Sequence, residues 1–303
     1  MMAYLLCVGI CAGQGVESLV IERKPIELPA FESARQISRY ATPIEYAEAK
    51  ADATYSYERL LYRSNGAIVS GFLYSPKTQT GKFPAIVFSR GSLVVNNQAP
   101  VLLTMIRRLA REGFVVFAPM FRGSDGTDGH DELGGADLDD LKSAIDVVKS
   151  MPAVDADNVF LYGESRGGIM TYLALRENWA VRAAAVWGAI TDIADYLKSK
   201  DPDSKLAKTI WPAYDSEKDQ IHVSRSAIRW PDRIRKPILI MHGGADTDVS
   251  PLQSLHMAEV LTELKREYSM MIFANDDHIL SRNRQARDRL AVDWFNQHRT
   301  GAH

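Results

Sequence analysis

The sequence predicts an α/β protein built on a mostly parallel, doubly wound sheet. Three observations carry this prediction: short runs of continuously apolar residues, helix-like segments between them, and turn-forming residues at the ends of each run. Continuous apolarity is typical of strands buried on both faces of a parallel sheet. Strands that alternate with helices along a chain form a sheet with helices on both faces.

Six runs after the first quarter of the chain have this character. Each is bounded by Gly, Pro, Asn or Asp and is too short for a core helix. The predicted strands are Phe83–Phe88, Phe114–Met120, Asn158–Gly163, Ala183–Ile190, Pro237–Gly243 and Tyr268–Ala274.

Helical patterns fill the intervals between these strands. Ala99–Gly113 ends in basic residues and a glycine, as helix C-termini prefer. Asp137–Ser150 opens with acidic residues, which suit the positive end of the helix dipole. Further helices are predicted directly after Ser165, over Pro251–Tyr268 and in the closing segment 282–298.

Two segments break the alternation. Ala53–Arg63 and Ala67–Ser75 are predicted strands joined at Ser-Asn-Gly, so an antiparallel hairpin leads into the sheet. Residues 191–232 are polar and contain three prolines. We interpret them as a small cap inserted over the carboxyl ends of the strands, with a linker between domains as the alternative. The predicted organisation is an N-terminal extension over 16–52 and one main domain over 53–303.

The first fifteen residues resemble a secretory signal peptide. The uncharged stretch AYLLCVGICAG ends in small residues, as a signal peptide does before its cleavage site, although no Lys or Arg precedes it. Cys7 and Cys11 both lie here, so a chain cleaved after this segment has no disulfide and no thiol nucleophile. We therefore expect export to the periplasm or medium, with a buried N-terminal segment and a cytoplasmic protein as the alternative.

Composition and charge narrow the class of partner. An apolar content of 46% with 24% charged residues is typical of a soluble globular protein. The formal net charge is −2, and Lys and Arg do not cluster, so the basic footprint of a nucleic-acid-binding protein is missing. No run outside the N-terminus approaches the roughly 20 apolar residues of a membrane span. We expect neither a nucleic-acid partner nor a membrane span.

A candidate nucleophile follows the third predicted strand. Gly163–Gly167 reads G-E-S-R-G and fits G-x-S-x-G, with a strand before it and a helix after it. In this motif the glycines allow a tight, strained turn that exposes the serine, and the next amide can stabilise an oxyanion. The motif predicts Ser165 as the nucleophile and the Arg166 N–H as an oxyanion donor, with a structural turn as the alternative.

A serine nucleophile needs a base, so the histidines are decisive. His278 follows the last predicted strand, where the order Ser, acid, His places the base in this type of sheet. His242 ends the fifth strand. The other five have an ordinary surface interpretation: His130, His222, His256, His298 and His303.

The acid that orients the base should follow the fifth strand. Asp246 lies nearest the strand end and is the preferred candidate, with Asp248 as the alternative. His242 and Asp246 together suggest a metal pair, but no third ligand lies at a suitable spacing, so we expect no metal and no cofactor. The second oxyanion donor is predicted at Gly91, in the turn after the first predicted strand, where an ordinary tight turn is the alternative.

Several segments together resemble the catalytic domain of the prolyl oligopeptidase family of serine hydrolases. MHGGADTDVSPLQS (Met241–Ser254) is similar to that family's H-G-x-x-D-x-x-V-P-x-x-Q-S segment, which selects Asp246 as the acid. FRGSDGTDG (Phe121–Gly129) and RSAIRWPDRIRKPILI (Arg225–Ile240) also resemble family segments. The resemblance covers roughly Tyr55 to the C-terminus. It implies an α/β-hydrolase fold and a catalytic domain over 53–303.

The chain also departs from the family pattern. The usual H-G-G-P turn is replaced by S-R-G-S, which keeps only Gly91, and Asp277 replaces a frequent glycine before the histidine. This extra carboxylate is expected to increase the basicity of His278. Only about fifty residues precede the hairpin, so the N-terminal β-propeller of many members has no counterpart, and access to Ser165 depends on the cap and loops.

These features lead to one expectation and its alternatives. The chain is expected to be a serine hydrolase that forms an acyl-enzyme on a small peptide or ester, with a carboxylesterase or a carbohydrate- or dienelactone-type esterase as the alternative. A binding protein with a decayed triad is disfavoured, because all three residue types occur in the right order. Arg166 and Arg122 are candidate anchors for a substrate carboxylate. An internal structural role is the alternative for both, with Glu164 as a candidate partner.

Overall fold

The computed structural model describes residues 19–34, 36–78, 81–93 and 96–301. The predicted signal peptide over residues 1–15 and both cysteines lie outside the described residues.

One sheet runs through the described part of the chain, in the strand order β1-β2-β3-β5-β4-β6-β7-β8-β9. Strands β1 to β3 pair antiparallel, as do β3 and β5, whereas the neighbours from β5 to β9 are parallel. The mostly parallel sheet is therefore confirmed. The strands are β1 (Val20–Pro25), β2 (Tyr55–Ser64), β3 (Ala67–Pro76), β4 (Phe83–Ser89), β5 (Val115–Pro119), β6 (Val154–Glu164), β7 (Ala184–Trp187), β8 (Ile238–Gly243) and β9 (Tyr268–Phe273).

Helices pack on both faces of this sheet. Alternate residues of β4 belong to different hydrophobic clusters: the cluster of Ala85 and Val87 includes residues of α3 and α4, while the cluster of Ile86 and Phe88 includes residues of α2 and α9. The doubly wound arrangement follows from this alternation. The helices are α1 (Pro43–Lys50), α2 (Ala99–Arg111), α3 (Leu138–Ser150), α4 (Arg166–Arg176), α5 (Ile193–Lys200), α6 (Lys205–Ile210), α7 (Tyr214–Arg225), α8 (Leu252–Glu263) and α9 (Arg284–Gln297).

The predicted hairpin is formed by β2 and β3. Ser64 pairs with Ala67, so the turn consists of Asn65 and Gly66. Both turn residues have positive φ, 39° and 82°. This is the type I′ geometry whose twist matches that of the flanking strands.

The N-terminal extension contains a strand and a helix that were not predicted from the sequence. β1 adds an antiparallel edge strand of mostly exposed, charged residues. α1 begins with a capping box, in which Thr42 and Glu45 bond each other's backbone N–H, followed by proline at the first helical position. The T-x-x-E spacing with an adjacent proline is a helix-start signal that would have revealed α1.

Segment 191–232 forms α5, α6 and α7 with two short 3-10 turns. Among the described residues, none of the helices combines the length and apolar character that crossing a bilayer requires.

The winding direction of the sheet reverses beside β4. The chain passes from β4 to β5 on one side and then returns to β6 on the other. Ligands bind beyond the carboxyl ends of strands at such a switch point. The turn after β4 and the turn after β6 meet there, and they carry Gly91 and Ser165.

Candidate active site

Ser165 lies on a strained turn between β6 and α4. Its φ of 50° and ψ of −113° fall in a region that non-glycine residues rarely occupy. The turn is held by hydrogen bonds from the Ser165 N–H to the Trp187 carbonyl (2.9 Å) and from the Gly168 N–H to the Ser165 carbonyl (2.8 Å). The predicted strand–turn–helix context of the nucleophile is therefore present.

The glycines around Ser165 are required by close packing. A Cβ atom on Gly163 would lie 2.4 Å from Oγ1 of Thr171, and one on Gly167 would lie 1.8 Å from the carbonyl oxygen of Ser89. Both distances are below any real Cβ contact. The G-x-S-x-G spacing therefore allows β4, β6 and α4 to approach each other closely enough to lift the serine.

The structure brings Asp246 and His278 together. Nδ1 of His278 lies 2.7 Å from Oδ2 of Asp246. The other carboxylate oxygen accepts the backbone N–H groups of Asp248 (2.8 Å) and Val249 (2.9 Å). Asp246, and not the alternative Asp248, is thus the carboxylate bonded to the imidazole.

His242 also donates a hydrogen bond to the Asp246 carboxylate, a role that the sequence pattern did not indicate. Its fully buried ring places Nε2 3.0 Å from Oδ2 of Asp246 and 3.0 Å from the Val249 carbonyl, while Nδ1 lies 2.7 Å from Oγ of Ser254. Because Nε2 faces two acceptors, it carries the proton, and Nδ1 accepts the Ser254 hydroxyl. Asp246 therefore receives hydrogen bonds from two histidines.

These contacts set the protonation of the pair. Burial tends to raise the pKa of Asp246, but hydrogen bonds from His242 and His278 outweigh it and hold that pKa well below its usual range. For His278, burial lowers the pKa, but the bond to Asp246 and its charge raise it above its ordinary value. Asp246 is therefore a carboxylate at neutral pH, ready to stabilise an imidazolium.

Asp277 is bonded within the loop that follows β9. Its carboxylate accepts the Ser281 N–H at 2.9 Å, and after Asp246 the largest charges that raise the pKa of His278 are those of Glu164 and Asp248. The neighbouring carboxylate of Asp276 is buried and accepts N–H groups of residues 277, 282 and 283. The acidic pair after β9 thus shapes the loop that carries the histidine.

The turn that carries Gly91 is organised by a buried arginine. The Arg90 side chain, 3% exposed, donates hydrogen bonds to the carbonyls of Gly91 (3.0 Å), Ser92 (2.8 Å) and Leu93 (2.8 Å), and to Met120 and Ser124 on the loop after β5. Burial and the charge of Arg166 lower the pKa of Arg90 to about 9, so it stays cationic at neutral pH. Where the family has H-G-G-P, this chain uses a guanidinium to fold the turn.

The two predicted oxyanion donors differ in their present contacts. The Gly91 N–H donates to Oε2 of Glu164 at 3.3 Å. The Arg166 N–H lies in the first turn of α4, where backbone N–H groups have no intrahelical acceptor. Both residues border the same cavity as Ser165.

The structure pairs both arginine side chains that were considered as substrate anchors with carboxylates of the fold. Nη2 of Arg166 is bonded to the buried carboxylates of Asp131 (2.7 Å) and Asp137 (2.6 Å), and its guanidinium stacks on Phe121. Two carboxylates against one guanidinium disfavour a third anion. Glu164, the partner considered from the sequence, is not bonded to it.

The Arg122 side chain likewise forms an ion pair inside the protein. It is paired with Asp140 through Nε and Nη2, the shorter contact being 2.7 Å. Arg122 does not border the cavity that contains Ser165. Its internal structural role, the alternative considered from the sequence, is the one that the fold supports.

A cavity of about 440 Å³ is bordered by four of the predicted site residues, Gly91, Ser165, Arg166 and His278. Ser165 and His278 both border it, although no hydrogen bond between their side chains is formed within the described part of the chain. Such bonds are often long before substrate binds. The N-terminal extension contributes Arg39 and Tyr40 to the wall, and the predicted cap contributes Tyr196, Lys200, Leu206 and Ile210.

Metal ligands are not assembled here. Within the ranges described above, no group of three or more His, Cys, Asp or Glu side chains is arranged to hold a metal ion. The contact between His242 and Asp246 is a hydrogen bond.

A strained serine turn at the switch point of a mostly parallel sheet is the arrangement of the α/β-hydrolase fold. With an Asp-bonded histidine on the same cavity, the chain is a serine hydrolase of that fold. A sequence profile described as the prolyl oligopeptidase family matches residues 102–301, which is more than half of the chain. The chain belongs to the prolyl oligopeptidase family.

Two curated relatives illustrate this membership. The chain is 28% identical over 220 residues to the uncharacterized peptidase YtmA of Bacillus subtilis (strain 168), covering 72% of this chain and 84% of the relative. It is 26% identical over 206 residues to the acylamino-acid-releasing enzyme of Rattus norvegicus, covering 63% of this chain and 28% of that enzyme.

Solved structures show the same fold. A Mycobacterium tuberculosis puromycin-hydrolyzing peptidase superposes with a TM-score of 0.70 at 20% identity, covering 82% of this chain and 40% of that one. For the Pyrococcus horikoshii acylaminoacyl peptidase the TM-score is 0.69 at 19% identity, covering 85% and 44%. The chain thus spans less than half the length of these two peptidases.

Proposed function

We propose that the protein is a serine peptidase that cleaves short peptides through an acyl-enzyme on Ser165. One observation carries the proposal: the His278–Asp246 pair borders the cavity into which the strained Ser165 turn opens. Family membership supports amide bonds as the target, because the relatives described above are peptidases.

In the proposed acylation step, His278 removes the proton from the Ser165 hydroxyl as Oγ attacks the substrate carbonyl carbon. The carbonyl oxygen becomes an oxyanion and accepts the N–H groups of Gly91 and Arg166. The imidazolium, stabilised by Asp246, then protonates the leaving amine, and the acyl group stays on Ser165.

Deacylation repeats these roles with water. His278 removes a proton from the water molecule that attacks the acyl carbon, and a second oxyanion forms at the same N–H groups. When this intermediate collapses, the imidazolium returns its proton to Oγ of Ser165, and the carboxylic acid product leaves. Each proton taken by His278 is given back, so the enzyme is regenerated.

The size of the cavity supports short substrates. Its volume of about 440 Å³ is near the lower end of typical ligand pockets, and both the cap and the N-terminal extension border it. A short peptide fits such a space better than a folded protein chain.

A carboxylesterase is the second candidate, and the cavity lining favours it. The apolar side chains that form part of the wall suit the acyl chain of an apolar ester. They are Leu93, Val101, Leu102, Met105, Leu133, Ile190, Leu206, Ile210, Val249 and Ile279.

A substrate panel separates the two candidates. Peptide p-nitroanilides and short p-nitrophenyl esters are compared by kcat/KM, with the Ser165→Ala variant as the control for background hydrolysis. We expect turnover of p-nitroanilides that Ser165→Ala loses. Ester turnover with no detectable p-nitroanilide cleavage would reject the peptidase and leave the esterase.

A further inference from the structure

A carboxyl group that the proposed mechanism does not use lies next to the nucleophile. Glu164 is 6% exposed and borders the cavity. Its hydrogen bond within the described structure is the weak one accepted from the Gly91 N–H at 3.3 Å. Burial raises the pKa of Glu164 above its ordinary value, and the charges of Arg287 and His278 offset this only in part. A buried carboxylate in this state lacks a close counter-charge.

The arginine side chains near Glu164 are hydrogen-bonded to other groups. Arg287 is bonded to Asp288 (2.8 Å) and to the Ile279 carbonyl (3.0 Å), and Arg90 is bonded to the carbonyls of its own turn. Arg166 is paired with two aspartates, as described above. Among the described residues, no Lys, Arg or His side chain donates a hydrogen bond to Glu164. A cation that arrives with the substrate would supply the missing charge.

The position of Glu164 indicates which substrate atom it would meet. The Gly91 N–H is the proposed oxyanion donor, so the scissile carbonyl oxygen sits about 3 Å from that nitrogen. Oε2 of Glu164 lies 3.3 Å from the same nitrogen. In an extended amino acid residue the α-nitrogen is two bonds from the carbonyl carbon and lies on the same side as the carbonyl oxygen. A carboxylate next to the oxyanion donor is therefore within reach of the α-nitrogen of the residue that acylates Ser165.

We propose that Glu164 binds the free α-ammonium group of the residue that acylates Ser165, so that the substrates are peptides or amino acid amides with an unblocked N-terminal residue at the cleavage site. This inference rests on the proposed serine peptidase function. The ammonium replaces the Gly91 N–H as the donor to Glu164, and the released N–H is then available to the oxyanion. An N-acylated substrate brings no charge, so Glu164 keeps competing for the Gly91 N–H.

The test compares leucine p-nitroanilide with its N-acetyl derivative by kcat/KM. We expect the wild type to prefer the free amine by about 10- to 100-fold, the range that a hydrogen-bonded charge contributes. In Glu164→Gln the carboxylate is lost with little change in shape, and we expect this preference to fall at least about 10-fold. Asp248→Asn removes another carboxylate that borders the cavity and is expected to keep the preference.

Three results would overturn the inference: a wild type that prefers the N-acetyl substrate or neither, an unchanged preference in Glu164→Gln, or an equal loss in Asp248→Asn. The wild-type ratio decides the matter even if Glu164→Gln does not fold. Labelling of Ser165 by a fluorophosphonate separates this failure from failure of the proposed function. Labelling without amine preference rejects the role of Glu164 alone, whereas absence of labelling rejects the hydrolase site itself.

Discussion

Asp246 accepts hydrogen bonds at both of its carboxylate oxygens. Two backbone N–H groups hold one carboxylate oxygen, and His242 and His278 share the other. Chain order and the resemblance of its segment were enough to choose Asp246 over Asp248. The role of His242 was not predictable, because it depends on the strand end folding back so that residues four apart meet.

The His242→Leu variant tests whether His242 and His278 share the Asp246 carboxylate. Because the variant leaves the Asp246 charge to His278 alone, we expect the pKa of His278, already above its ordinary value, to rise further. Activity needs the neutral imidazole and is lost as pH falls through that pKa. The acidic limb of kcat/KM against pH should therefore move to higher pH.

The conservative variant His242→Gln provides the control, since its amide can donate to the same carboxylate oxygen. We expect its acidic limb to return toward that of the wild type. A limb that does not move in His242→Leu, or moves to lower pH, would contradict the assigned role of His242.

At the scale of elements, the nucleophile and the two proposed oxyanion donors lie on two turns that follow neighbouring strands, β4 and β6. The apolar runs that became β4 and β6 predicted where those turns would lie. All six strands predicted from apolar runs, both strands of the hairpin and all five predicted helices are present. The hydrogen bonds that stabilise the turn after β4 were not predictable. The residues S-R-G-S do not indicate that the Arg90 side chain folds back and donates to the carbonyls that follow it.

Substitution of Arg90 by Met should loosen the oxyanion turn. The variant keeps an unbranched side chain of similar shape but loses the donors that hold the turn. We expect kcat to fall by about 10²- to 10³-fold with little change in KM, as when one oxyanion donor is lost. Steady-state kinetics on the preferred p-nitroanilide measures this.

Arg122→Met is the matched control, because it removes a largely buried arginine that does not border the cavity. We expect it to lower the melting temperature, by leaving the buried Asp140 unpaired, but to keep kcat near that of the wild type. An Arg90→Met enzyme with wild-type kcat would show that the turn holds its shape without the guanidinium.

At the scale of the whole molecule, the apolar pattern predicted the buried strands, whereas the edge strand and the cavity wall depend on tertiary packing. The parallel strands were evident from continuous apolarity, whereas β1 was missed because an exposed edge strand of charged residues has no such pattern. The cavity wall combines Tyr40 from the N-terminal segment with Tyr196 and Leu206 from the predicted cap. These positions are far apart in sequence, and no local pattern indicates that they meet.

The central claim is that Ser165 is the nucleophile of a hydrolase site, and covalent labelling tests it most directly. The protein is treated with a fluorophosphonate, digested, and examined by mass spectrometry for the modified peptide. We expect one adduct on Ser165 in the wild type, none in Ser165→Ala, and much slower labelling in His278→Ala because the base is lost. Equal labelling of the wild type and Ser165→Ala, or an adduct on another residue, would contradict the account.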